Sequence, residues 1–178
     1  MNQFIELKNK ESFVYGNANF LDTYQIIDGV GFPLSYIDFA KTLGFGRLCK
    51  LFLIYIPMGS HPDSWIEQTK YIKSTIIYCM ENKLIDYEPD GSKELLERCV
   101  PFAMSENGQY LFWDPQKPSN NELPIYVLGS EMGAVRYAAS SLYEFVENCT
   151  DNTKVKRMLG TGYNSLPLNF DPIKPWEP

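Results

Sequence analysis

Two apolar stretches, Val100 to Met104 and Gln109 to Trp113, stand either side of Glu106-Asn107-Gly108, and this pattern limits the possible folds more than any other feature of the chain. Asn-Gly is a strong hairpin signal because both residues tolerate the positive φ of a tight turn between strands. A third apolar run, Leu123 to Leu128, follows closely, so the middle of the chain predicts a β-meander. Along the second strand, Tyr110 and Phe112 share one face while Leu111 and Trp113 share the other. One pair faces the core, and the other is open to contact unless a helix covers it.

Helical signals surround the meander. Asp22 can cap a short helix through Thr23 to Ile27, which Gly29 and Gly31 would end. Pro33 opens a second helix, with Leu34, Ile37, Ala40 and Leu43 at near-helical spacing and Gly44-Phe45-Gly46 closing it. Cys49 to Pro57 reads as a buried strand, an apolar run that periodicity alone does not separate from a buried helix. Ser60, with Asp63 three residues on, predicts the start of a long third helix, with Trp65, Ile72, Ile76, Met80 and Leu84 along one face. An acidic loop, Tyr87 to Ser92, precedes a short helix over Lys93 to Cys99. After the meander, Ala138 to Asn148 predicts a helix with Leu142, Phe145 and Val146 inward, and Val155 to Leu159 adds a turn or two. The sum is one α+β domain, a central, mostly antiparallel sheet flanked by about four to five helices. It covers residues 1–160, and a tail, 161–178, holds four prolines and no period, which predicts extended, loose backbone. Trp176 in that tail fits either packing back or engaging a partner.

The charge is placed unevenly. The net charge is −6, and all of it lies between Glu81 and Glu131, where ten acidic residues face four basic ones. The residues before that block carry seven of each sign, and those after it five of each. The block is interleaved with Tyr87, Tyr110, Phe112, Trp113 and Tyr126, the kind of rigid group that anchors interfaces. Glu88, Asp90, Glu94, Glu97, Glu106, Trp113 and Asp114 are therefore the candidate residues of a surface for a basic partner. An acidic pI near 4.8 and scattered Lys and Arg residues speak against nucleic acid. Met1 to Lys10 lacks a secretory pattern and Leu51 to Met58 is too short to cross a bilayer, so a cytoplasmic protein that engages no membrane is expected.

Catalytic and metal chemistries find little support. Cys49, Cys79, Cys99 and Cys149 are too dispersed for a zinc or CxxC motif and read as reduced thiols in the core. His61, the single histidine, stands at a helix start beside Pro62 and Asp63, where a capping or surface role fits. Glu106 and Asp114 could form a hydrolytic carboxylate pair only in a pocket that raised one pKa, and a hydrolase is the third-ranked reading. Trp65, at helical spacing, reads as core. No cofactor is expected, because Gly29-Val30-Gly31 lacks the third glycine of a phosphate loop.

Several of these segments together resemble a known family. Phe32-Pro33-Leu34-Ser35-Tyr36-Ile37-Asp38-Phe39, ending near Gly44-Phe45-Gly46, is similar to the opening of the SUKH superfamily. Pro101 to Asp114 resembles that superfamily's hairpin, while Pro124 to Val127 and Ala139 to Phe145 resemble its closing strand and helix. Phe32 stands where Leu is usual, Ser105-Glu106 replaces an acidic pair, and the Ser60 to Leu84 helix is an enlargement. The resemblance spans roughly residues 20–149, and the order of the three blocks carries it. It implies a non-catalytic α+β domain of the kind that includes yeast cell-wall regulators and bacterial immunity proteins. The function implied is occlusion of a cognate toxin domain, such as a nuclease, with an intracellular scaffold or regulatory module as the alternative.

Overall fold

The computed structural model describes residues 6–7 and 13–175. Its centre is the predicted meander. Strands β6 (Val100–Ser105) and β7 (Tyr110–Trp113) pair antiparallel around Asn107-Gly108, with Ser105 N–H donating to the Gln109 carbonyl at 2.8 Å. Gly108 takes φ +83°, the left-handed conformation, but Asn107 is not at positive φ, so the connection 106–109 is not the two-residue primed turn that Asn-Gly signals. β8 (Ile125–Leu128) continues the meander, and all four of its residues are buried, as expected of a strand covered on both faces.

Strands on either side widen the meander into one sheet. β4 (Gly46–Leu48) and β5 (Phe52–Ile54) pair beside β6, and β9 (Val135–Ala139) pairs beside β8. β10 (Asn169–Pro172) lies antiparallel on β4, and β1 (Glu6–Leu7) adds a parallel edge to β10. The order is β1-β10-β4-β5-β6-β7-β8-β9, with β2 (Gln25–Ile27) and β3 (Val30–Gly31) forming a small separate ribbon.

Six α-helices among the described residues clothe this sheet. α2 (Leu34–Thr42) and α5 (Leu142–Thr150) cover one face, where Tyr36 meets Phe102 and Trp113 edge-on and Phe145 meets Phe52. α1 (Ala18–Thr23) packs on α2, and α6 (Asn152–Leu159) packs on α5 and β9. α3 (Trp65–Glu81) crosses β6, donating both its Trp65 indole N–H and its Thr69 hydroxyl to the Pro101 carbonyl, at 3.2 and 2.7 Å. α4 (Lys93–Arg98) lies beside α3. The fold is the α+β domain that the sequence indicated.

Several details correct the sequence reading. Of the segment expected to be helical from Thr23 to Ile27, Thr23 ends α1 and Gln25–Ile27 is the β2 strand, because Asp28-Gly29 is itself a two-residue hairpin signal and joins Ile27 to Val30. Helix α1 lies just upstream, capped by Asn17, whose Oδ1 accepts from Phe20 N–H at 3.0 Å. In α2 the inward stripe is Tyr36, Phe39, Ala40 and Leu43, whereas Leu34 is exposed. The single strand expected over 49–57 begins with a turn, since Cys49 and Lys50 both take φ 54° and reverse the chain between β4 and β5. α3 starts at Trp65, with Ser64 rather than Ser60 at its N-cap position, and Leu84 lies beyond its end, exposed. Ala138 and Ala139 belong to β9, which precedes α5. Residues 169–172 are not loose backbone, because they form β10 and Phe170 is fully buried against Phe39. Trp176 lies outside the described residues. The four cysteines are free and buried, as expected, and Trp65 is core.

Candidate functional site

The acidic segment is held to the body of the protein by backbone bonds that begin at the sheet edge. β9 would otherwise end the sheet with unpaired peptide groups, a template for unwanted pairing. The stretch 86–91 covers that edge. Asp86 N–H donates to the Met132 carbonyl at 3.1 Å, Val135 N–H to the Glu88 carbonyl at 3.0 Å and Asp90 N–H to the Val135 carbonyl at 3.0 Å. The Asp90 carboxylate itself accepts from Tyr137 N–H at 2.9 Å. Gly91 sits so tightly that a Cβ there would meet the Val135 side chain at 2.5 Å and the Tyr87 carbonyl at 2.6 Å.

α4 follows, and its amphipathic pattern fixes which side chains point outward. Ser92 caps it by accepting from Leu95 N–H at 3.1 Å, Leu95 and Leu96 turn inward, and Glu94 and Glu97 face solvent one turn apart. Lys73 of α3 closes the other end, its ammonium donating to the Leu96, Glu97 and Cys99 carbonyls at 2.9, 2.6 and 2.9 Å. A cation at the carbonyl end of a helix satisfies orphan acceptors and complements the dipole. Bonds to its own N–H and to the Ser92 side chain hold the Glu94 carboxyl below the ordinary glutamate range. Glu81, Asp86 and Glu88 are exposed on the same segment, and Glu131 is exposed beside Met132, which bonds to Asp86.

The structure thus brings together Glu88, Asp90, Glu94 and Glu97, and it removes three other candidates. Trp113 is 1% exposed and stacks on Phe102 with centroids 4.2 Å apart, so it is core. The Asp114 side chain is 0% exposed and forms a bidentate pair with Arg98, the last residue of α4, at 2.7 and 2.8 Å. Burial pushes the Asp114 carboxyl up, but the Arg98 guanidinium and the Gln116 N–H outweigh it and leave the group below its ordinary value. Glu106 is exposed but lies at the β6–β7 turn, paired with Arg47 of β4 at 2.6 Å, apart from the 81–97 segment. Glu106 and Asp114 therefore share no cleft as an acid and base pair. The aromatics of the acidic block are also turned inward, Phe112 and Tyr126 being buried and Tyr87 and Tyr110 half-buried.

Two further groups were absent from the sequence-based set. Glu122 caps α2 from a distant loop, accepting from the Ser35 N–H at 2.8 Å and the Ser35 hydroxyl at 2.6 Å. It replaces the side-chain cap that Pro33 cannot provide. A cleft of about 290 Å³ lies beside it, between Gly29–Phe32 and Pro118–Leu123. His61 takes the local role foreseen for it, its Nδ1 accepting from Asp63 N–H at 3.0 Å. Cys149 contacts the Cys49 thiol, and that contact together with burial raises it well above the usual thiol value, while burial takes Cys99 to about 11. Such thiols are poor nucleophiles. Among the described residues, no group of three or more His, Cys, Asp or Glu could hold a metal ion, and no helix is long and apolar enough to cross a membrane.

Fold and site together present an α+β domain with carboxylates braced on a sheet edge and on a short helix. Residues 28–146, well over half of the chain, match the SUKH_6 family model, SMI1-KNR4 cell-wall, and the chain belongs to that family of the SUKH superfamily. The superfamily is known for immunity proteins and related cell-wall regulators, which are generally non-enzymatic and bind a partner protein. No curated protein and no solved structure shows a significant match.

Proposed function

We propose that this chain is a cytoplasmic immunity protein that neutralises a cognate bacterial toxin domain by covering it, and that the partner presents a basic surface. The observation that carries the reading is the segment 81–97, where six carboxylates accompany two lysines. All six are exposed, and Asp90 alone among them has its carboxylate bonded to the backbone of another strand. A nuclease toxin fits such a face in sign, because an enzyme that grips phosphate exposes Lys and Arg. Opposite potentials speed encounter and are screened by salt.

The test is co-expression with the toxin domain encoded beside this chain's gene, followed by binding kinetics. Growth is rescued, and a triple reversal, Glu88→Lys, Glu94→Lys and Glu97→Lys, slows association at least about tenfold at low salt and flattens its salt dependence. Asp90 is left intact in that variant because its carboxylate bonds to β9. Absence of rescue and of any complex overturns the immunity reading. An unchanged on-rate in the triple variant removes the acidic segment as the docking face.

A further inference from the structure

α3 carries a second stripe that the fold does not use. Trp65, Ile72, Ile76 and Cys79 turn towards the sheet. On the solvent side Tyr71 and Tyr78 are 61% and 62% exposed, seven residues and two turns apart on one stripe. Ile77 and, just past the helix, Leu84 are also exposed, so four large apolar side chains crowd the outside of one helix and its exit. Glu67, paired with Lys70 at 3.0 Å, precedes Tyr71 by one turn, and Glu81 follows Tyr78 by one turn. In sequence the helix leads directly into the acidic segment 81–97.

These are the ingredients for holding a cation by two means at once. A tyrosine face attracts a guanidinium or ammonium through its quadrupole, and a neighbouring carboxylate pairs with the same group. Arginine suits such a site better than lysine, because its planar fork can stack on the ring while it bonds to the carboxylate. Glu67 is already paired with Lys70, but a purely apolar partner would have to desolvate Glu81 without compensation. We propose that the Tyr71–Tyr78 stripe of α3 is a docking site for arginine and lysine side chains of a basic protein partner, the anchoring half of a face whose steering half is the acidic segment. The proposal rests on the immunity reading only for the identity of that partner; the chemistry of the site stands apart from it.

The test uses the full chain and an octa-arginine amide peptide, titrated by NMR at low ionic strength. The ring resonances of Tyr71 and Tyr78 shift together with the Glu81 amide. The double variant Tyr71→Ala/Tyr78→Ala weakens peptide binding at least about tenfold, while Tyr71→Phe/Tyr78→Phe stays within about twofold of the parent and octa-lysine binds more weakly than octa-arginine. The proposal is overturned by shifts confined to residues 86–97 with both tyrosine rings unmoved, or by an alanine variant that binds the peptide as well as the parent does. Failure of rescue in the co-expression experiment would overturn the immunity reading and leave this titration unaffected, so the two failures are distinct.

Discussion

The two halves of the acidic block put the same residue type to opposite uses. From Glu81 to Glu97 the carboxylates are exposed, Asp90 alone bonding to β9 and Glu97 pairing with Lys93, and the two lysines do not neutralise the excess. From Arg98 to Glu122 they are part of the architecture: Asp114 clamps the end of α4 to the end of β7, Glu122 caps α2, and Glu106 pairs with Arg47. Aromatics divide in the same way. Those in the second half pack in or against the core, whereas Tyr71 and Tyr78 of α3, just before the block, are exposed. A run of like charge is therefore not one surface, and its members are distinguished by what backbone or cation each can reach.

Substitutions can break or sharpen that contrast. The largest effect is expected at Asp114. Asp114→Ala leaves Arg98 partly buried without its partner and costs about 2–4 kcal/mol, the lower part of the range applying because Arg98 retains some solvent. For a chain of this size that lowers the thermal midpoint by roughly 5–15 °C, read by calorimetry. The pH dependence has a definite sign. The Asp114 carboxyl lies below its ordinary value in the folded state, so its contribution is complete above the unfolded value of about 3.9 and is lost as pH falls through the lower folded value. Asp114→Asn accordingly unfolds at a lower temperature near neutrality and shows a shallower acid limb below about pH 4. An Asn variant with the parent's acid limb would separate the ion pair from acid stability.

Glu122→Ala should come next. It strands the buried Ser35 N–H and uncaps α2, at about 1–2 kcal/mol by denaturant unfolding. The smallest effect on stability belongs to the triple reversal of Glu88, Glu94 and Glu97, which should move the midpoint by less than about 3 °C because surface substitutions are nearly neutral. A large loss there would dissolve the distinction between the two halves.

The meander was legible because strand propensity, alternation and the Asn-Gly turn agree over a short span. The short helix α4 lies where the sequence placed one, and α5 turns the expected Leu142, Phe145 and Val146 inward, although it starts at Leu142 rather than Ala138. What escaped depended on distant partners or on unusual backbone. The reversal at Cys49 and Lys50 uses two non-glycine residues at positive φ, which no turn dipeptide announces. β9 hides in Val135–Ala139 because its alanines suit a helix and only pairing with β8 makes them strand. At the site, the sign and the position of the charge were visible. The loss of Asp114 and Trp113 to the interior was not, because Arg98 and Phe102 reach them only once the sheet has formed. The exposed face of α3 could have been inferred by asking which of its tyrosines fall opposite Ile72 and Ile76.

The position of β10 has a kinetic consequence. Neighbouring strands from β4 to β9 are joined in sequence order, mostly by short hairpin turns that close within microseconds, whereas β10 reaches β4 from the far end of the chain and β1 then pairs only with β10. Contacts so remote in sequence form late and slowly, since a long loop must be closed before they contribute any stability. The edge that carries β1 and β10 is thus expected to assemble last and to open first, which hydrogen exchange of the Phe170 amide would check. The acidic segment, sealed on β9 at the opposite edge, is kept six strands away from that fluctuation.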